Sequence, residues 1–254
     1  MKHTFIDQYS HKESLLHKID PRIKVISFLV FILFVISTPK DSFLKFGLYG
    51  VLIIGLILFS KISPWSIFKR SLVVIPFTLM IFLFIPFFKE GVVMGTFFLG
   101  PLRLEVTYEG LQILGNSLAK AYLSVLCMIL LISSTKFSHL LKAVERLGLP
   151  KVMLLILSFM YRYIFVIYEE FLKMWQVKEA RSVGGSRLFQ IKALANMVGT
   201  LFIRTYERAE NVYLAMCARG FDGNIRTIDN FQLRRGDVFF LLIMILSLMS
   251  VRLV

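Results

Sequence analysis

The sequence predicts an all-α integral membrane protein with about five transmembrane helices and long amphipathic cytoplasmic helices inserted before the last span. Three observations predict it. Hydrophobic residues make up 57% of the 254 residues, and mean hydropathy is +0.72, above the apolar share of soluble domains. The apolar residues fall in runs separated by short polar connections. The net charge of +14 fits a membrane protein, in which lysines and arginines mark the cytoplasmic side. A nucleic-acid reading would need a folded aromatic-basic module, and none is visible. Three regions are expected: 1–133, an amino-terminal tail with four spans; 134–237, cytoplasmic and interfacial helices; and 238–254, the last span.

The amino-terminal tail is polar and carries Lys2, Lys12, Lys18, Arg22 and Lys24, so no signal peptide is expected. Its end is a helix start, with Asp20 as cap and Pro21 at the first helical position. Residues 25–36 and their flanks make the first span, and Thr38-Pro39-Lys40-Asp41 is a turn. Residues 46–59 form the second span, closed by Lys61, Ser63 and Pro64, then Lys69 and Arg70. Residues 71–88 form the third, with Pro76 and Pro86 inside it. Proline is tolerated in a span where neighbours satisfy the freed backbone groups. Residues 89–107 are a glycine-containing loop with room for a short extended piece. Residues 110–133 form the fourth span, interrupted by Asn116, Ser117 and Lys120.

Residues 152–168 are apolar enough for a span, but charge parity opposes a full crossing. With the basic tail inside, four spans return the chain inside at residue 134. A crossing at 152–168 would place residues 169–235, with eleven lysines and arginines, on the outside, against the positive-inside rule. Arg162 would also sit mid-span, where a charge is costly. Residues 152–181 are therefore expected as one long helix, apolar in its first half and cytoplasmic in its second. Glu169 and Lys173 stand four apart in the favourable order. Residues 193–219 form a second amphipathic helix. Leu194, Val198, Leu201, Thr205, Ala209, Val212 and Met216 share one face, and Arg204, Glu207, Arg208 and Asn211 make a polar stripe. Residues 238–251, about 15 in all, form a short last span against the roughly 20 an untilted crossing needs.

One short pattern occurs twice in the cytoplasmic region. Ala180-Arg181-Ser182-Val183-Gly184-Gly185 is echoed by Ala218-Arg219-Gly220-Phe221-Asp222-Gly223. Each copy is an arginine between small residues at the end of a helical run, with glycine stop signals behind it. Small neighbours let a partner surface approach, and a guanidinium fork suits bidentate carboxylate recognition. Two such knobs in one chain call for two similar sockets elsewhere. A single copy would read as an ordinary helix end with a solvated arginine.

Other chemistry is sparse. The expected spans hold no Asp or Glu, and Lys120 is the one charge well inside them. Ion paths usually show paired intramembrane groups, so Lys120 is expected to snorkel or to cap a carbonyl. His3, His11, His17 and His139 form no ligand spacing, and no metal site is expected in this chain. Cys127 and Cys217 give neither a disulfide framework nor a metal pattern. No phosphate-binding glycine loop, zinc-protease helix or Gly-x-Ser-x-Gly elbow is present. Neither a cofactor nor ATP is expected to bind this chain, and no catalytic residue is assigned.

With these residues in view, the sequence resembles the transmembrane T component of energy-coupling factor (ECF) transporters, and is most like the cobalt-type branch called CbiQ. The resemblance covers nearly the whole chain. It is carried by Ile6-Asp7, by Leu16-His17-Lys18-Ile19-Asp20-Pro21-Arg22-Ile23-Lys24, by the string from Glu179 to Gly185, by Gly199-Thr200-Leu201-Phe202-Ile203-Arg204, and by the string from Tyr206 to Gly223. One departure is Ser182, where many family members carry glycine; serine is still small. The resemblance implies an importer subunit that pairs with two ATP-binding cassette ATPases, which bind the ATP, and with a substrate-capturing membrane subunit. In cobalt and nickel systems it also implies a small accessory membrane subunit. It implies that Ala180, Arg181 and Ser182 dock one ATPase and that Ala218, Arg219 and Gly220 dock the other, while the capturing subunit holds the metal. A T component shared by vitamin-capturing subunits is the alternative within transport. A polytopic membrane enzyme would have to draw its acids from glutamates 169, 170, 179, 207 and 210, which alternate with bases like helix-pair partners.

Overall fold

The protein is described by a computed structural model covering residues 16, 19–39, 43–88, 92–99, 102–181, 186–223 and 233–253. Helices dominate, as the class requires. In chain order they are α1 (Pro21–Ile36), α2 (Phe43–Ser60), α3 (Pro64–Leu72), α4 (Ile75–Phe82), α5 (Ile85–Phe88), α6 (Tyr108–Ser134), α7 (Phe137–Arg146), α8 (Lys151–Arg181), α9 (Arg187–Ala218) and α10 (Arg235–Leu253). One antiparallel hairpin, β1 (Val93–Leu99) with β2 (Leu102–Thr107), stands between α5 and α6, where the sequence suggested a loop with a short extended piece. The chain divides into two compact units: Thr4–Val144 with Phe231–Val254, and Met1–His3 with Glu145–Asn230.

In the first unit α6 is the hub. Its Leu123, Cys127, Leu130 and Leu131 join Phe28, Phe31 and Val35 of α1, Tyr49 and Ile53 of α2, and Met244 and Leu248 of α10 in one buried cluster. Phe31 and Tyr49 meet edge to face, with ring centroids 5.8 Å apart. Apolar surface is not scarce in a bilayer, so close packing of this kind holds spans together.

The stretch expected as a single third span, 71–88, is broken into the end of α3, then α4 and α5, and α3 itself starts earlier, at Pro64. Each piece begins at or just before a proline: Pro64, Pro76 and Pro86. A proline lacks the N–H that would continue the ladder and crowds the preceding turn, so it starts helices better than it continues them. The last piece lies tightly against the start of α6. Thr107 Oγ1 donates to the Pro86 carbonyl at 2.9 Å, and a Cβ on Gly110 would sit 2.6 Å from the Pro86 Cα. Only glycine allows that approach.

Polar groups tie helix ends together at two levels. At one, Asp20 caps α1 as expected: its Oδ1 accepts from the Arg22 N–H at 2.9 Å, and Pro21 opens the helix. Asp237 Oδ1 accepts from the Asp20 N–H at 3.0 Å, and its Oδ2 accepts from the Arg234 N–H at 2.8 Å. One carboxylate thus serves the amino-terminal ends of both the first and the last helix. Beside it Lys24, only 1% exposed, donates to the Ser134 carbonyl at 3.2 Å, at the carboxyl end of α6. Lys24 is therefore a buried charge at a span end, whereas the sequence placed it in the polar tail. At the other level, Lys120 donates to the carbonyls of Ile36 and Thr38 at 2.9 and 2.7 Å. It caps a helix end, as the sequence reading expected. Lys45 donates to the Arg252 carbonyl at 3.1 Å.

These contacts fix the parity of the spans. The start of α1, the end of α6 and the start of α10 lie at one face. The end of α1, the start of α2 and the end of α10 lie at the other. By length and composition, 64–82, Tyr108–Ser134, Lys151–Arg181 and Arg235–Leu253 can cross a membrane, and Leu44–Ser60 is a shorter apolar helix. The protein is an all-α, multi-pass membrane protein. Its last helix, at 19 residues, is longer than the stretch of about 15 read from the sequence.

Candidate partner-docking site

The second unit is built on two long helices. The hydrophobic spacing of residues 151–181 runs 31 residues without a proline or glycine, so α8 continues unbroken to Arg181. Ser186 then starts α9, its hydroxyl accepting from the Phe189 N–H at 3.4 Å. The start of α9, Arg187, lies six residues before the sequence reading had it. Its half-buried face holds Leu194, Leu201, Thr205, Val212 and Met216, all expected; Val198 and Ala209, expected with them, are exposed, and Met197 is the buried residue there.

The two helices run in opposite directions. Glu170 on α8 meets Arg204 and Arg208 on α9, with Nη1 of Arg204 3.0 Å from Oε1 and Nη2 of Arg208 3.0 Å from Oε2. Nearer the start of α8, Phe159, Tyr163 and Ile167 face Val212, Met216 and Phe221 across an open apolar groove of about 420 Å³. Outside these contacts both helices expose large apolar side chains, such as Phe202 at 70% and Leu188 at 79%. Surfaces of this kind mark interaction with protein or lipid.

Both arginine motifs stand at helix ends. Ala180 and Arg181 are the last two residues of α8, and both are exposed. The neighbouring Trp175 donates to Glu179 at 2.8 Å and lies under the Lys178 ammonium, 4.6 Å from its ring centre. Glu179 is thereby engaged with Trp175. Ser182, Gly184 and Gly185 lie outside the described residues. Ala218 ends α9 and Arg219 is its carboxyl cap. Gly220 follows at φ +78°, donating to the Cys217 carbonyl at 2.9 Å, and Phe221 donates to the Met216 carbonyl at 3.1 Å. This is the Schellman arrangement, in which a left-handed residue satisfies the last carbonyls of a helix. Phe221 and Met216, the apolar pair that closes such a cap, both line the groove. Neither the Arg181 nor the Arg219 guanidinium pairs with another described residue. The fold does not bring the two motifs together: Arg181 lies eleven residues past Glu170, about 16 Å of helix, and Arg219 lies eleven past Arg208 and fifteen past Arg204.

The node itself was not legible as a site. Sequence reading put Arg204 and Arg208 in a solvated stripe and Glu170 among scattered helix-pair glutamates. The one available signal was the four-residue spacing of the two arginines, which places both on one face. Among the described residues no three His, Cys, Asp or Glu side chains gather as a metal-binding group. His139 lies on α7, and the other three histidines fall outside the described residues.

Comparison with known proteins adds the family. The CbiQ family, described as cobalt transport protein, matches residues 12–228. An uncharacterized protein of Methanocaldococcus jannaschii is 26% identical, over 95% of this chain and 83% of its own length. The energy-coupling factor transporter transmembrane protein EcfT of Listeria innocua is 28% identical, over 88% of this chain and 86% of its own. A putative fused cobalt transport protein CbiMQ of Methanocorpusculum labreanum is 23% identical, over 87% of this chain and 38% of that longer protein. With the family match spanning most of the membrane region and both arginine-bearing helix ends, the chain belongs to the CbiQ family of ECF transporter transmembrane components.

Proposed function

We propose that this chain is the coupling subunit of an ATP-driven importer for cobalt or nickel ions, non-catalytic itself. Two ATP-binding cassette ATPases dock on it, one at Ala180-Arg181-Ser182 and one at Ala218-Arg219-Gly220. A metal-capturing membrane subunit, with a small accessory subunit, holds the ion. The observation that carries the reading is the pair of exposed arginines, neither paired with another described residue, at the ends of two joined helices. Cobalt draws support from the family's description and from the fused relative's name. The amino terminus and α8–α9 face the cytoplasm, which the eleven basic residues of 169–235 favour. ATP-driven approach of the ATPases would carry the two helix ends with them and shift the packed helices between discrete arrangements.

A T component shared by several capturing subunits, vitamin-binding ones included, is the second reading. Relatives named EcfT, whose names give no substrate, keep it open. The membrane subunit that co-purifies decides between the two.

The test is a pull-down of the tagged chain from membranes co-expressing its genomic neighbours, wild type beside the Arg181→Ala, Arg219→Ala double variant. Two ATPases are expected with wild type and none with the variant. Losing a charged partner at a buried pair costs about 2–5 kcal/mol per site. Normal ATPase recovery together with normal uptake in the variant would sink the docking assignment.

A further inference from the structure

We propose that Glu170 is the pivot of the α8–α9 pair: its carboxylate, clamped by Arg204 and Arg208, fixes the register about which one docking arm moves against the other. The proposal rests on the docking reading above and deepens it.

Three features carry it. The first is the geometry of the clamp. Each Glu170 oxygen has its own guanidinium at 3.0 Å, and the two arginines stand one helical turn apart. A two-point contact resists sliding in a way a single pair does not. A slip of one turn in one direction would set Glu170 between Arg208 and Val212, and in the other between Thr200 and Arg204. Either slip leaves one carboxylate oxygen without its guanidinium.

The second is position. Glu170 precedes Arg181 by eleven residues, and Arg208 precedes Arg219 by eleven. Arg204 precedes Arg219 by fifteen, so the middle of the clamp on α9 lies roughly 20 Å from its docking end, against about 16 Å on α8. The node stands well inside both helices, so a pull on either arm acts on it at a distance.

The third is what lies on one side of the node. Towards the start of α8 and the end of α9 the helices part around the apolar groove, and Arg208 lines its inner end. The clamp therefore closes one end of a gap that has room to narrow. Movement of the Arg219 end would change the width of that groove while the distance at Glu170 stayed fixed. Glu170 keeps 23% side-chain exposure, and the arginines 54% and 45%. Isolated exposed pairs add little stability, so the function assigned to this one is positional.

The experiment uses the whole complex with its ATPases, in a chain carrying Cys127→Ser and Cys217→Ser. One nitroxide pair is placed across the groove (Ile156→Cys with Leu214→Cys) and another beside the node (Lys173→Cys with Ile203→Cys). Adding ATP is expected to shift the groove distance and leave the node distance unchanged. In Glu170→Ala the ATPases still co-purify, but the node distance broadens and ATP-driven uptake of radiolabelled cobalt falls about tenfold, the scale of a typical coupling energy. The swap Glu170→Arg with Arg204→Glu and Arg208→Glu restores both, which a general folding defect would not allow. A node distance that moves as far as the groove distance, wild-type spectra in Glu170→Ala, or a swap that restores nothing would each overturn the pivot. If the ATPases are absent from the wild-type complex, the docking reading falls first and the pivot falls with it.

Discussion

Arg219 is presented by its backbone. Its side chain has no described partner, and the turn that aims it depends on Gly220 at φ +78°. A Cβ at that position would meet nothing within 4 Å, so any cost of substitution is conformational. A left-handed backbone costs a non-glycine residue about 1–2 kcal/mol, less for asparagine, which also serves at such caps. Gly220→Val should fray the last turn of α9 and weaken recovery of one ATPase, while Gly220→Asn stays near wild type. Amide exchange at Phe221, whose N–H closes the cap, reports the fraying directly; unchanged exchange in Gly220→Val would remove the glycine from the docking geometry. This much was legible in the sequence, because a glycine behind the last helical turn is a local signal. Glu170 was not. Its partners lie 34 and 38 residues away, and which residues meet across two long helices depends on their relative phase and register. No local pattern encodes that.

Among the elements, the ends of the membrane helices carry the information the sequence hid. Asp20 was readable as a cap, since cap and proline are adjacent. That the Asp20 N–H would itself be held by Asp237, more than two hundred residues on, was not. Asp237 stands one residue before the apolar run 238–251, and nothing in its neighbours points to Asp20. The same locality explains the third span: hydropathy reads one crossing over 71–88, where Pro76 and Pro86 each restart a helix. Asp237 should matter more than any apolar residue of α10. It accepts two backbone N–H groups and lies beside the buried Lys24, on whose charge it acts. Asp237→Ala leaves both N–H groups without that acceptor, at about 1–3 kcal/mol for each one left unsatisfied, while Lys24 keeps Asp20 and the Ser134 carbonyl. Asp237→Asn keeps the shape but has one acceptor oxygen for two donors, a loss of about 1–3 kcal/mol. Denaturant unfolding in detergent measures both. The double variant Asp237→Ala, Lys24→Met should lose less than the sum of its parts, and strict additivity would show that the two groups do not act together.

At the scale of the molecule, the question is which side of the bilayer α8 and α9 occupy. Composition alone lets Lys151–Arg181 cross. The tied helix ends constrain the answer, because the end of α6 and the start of α10 share one face through Lys24, Asp20 and Asp237. Whatever lies between them must return to that face. A crossing by α8 would need α9 to cross back, carrying Arg204, Glu207 and Arg208 through the hydrocarbon, at about 2.5–3.5 kcal/mol for each charge near the centre. The chain avoids that cost if neither helix crosses. Leu188, at the start of α9 and 79% exposed, decides between the cases. In a background with Cys127→Ser and Cys217→Ser, a membrane-impermeant thiol reagent should label Leu188→Cys from the same side as Lys61→Cys and Leu147→Cys. Tyr108→Cys, at the start of α6, should label from the other side. If Leu188→Cys instead labels with Tyr108→Cys, α8 spans the membrane, Arg181 emerges on the face opposite Arg219, and two ATPases on one side of the bilayer could not reach both.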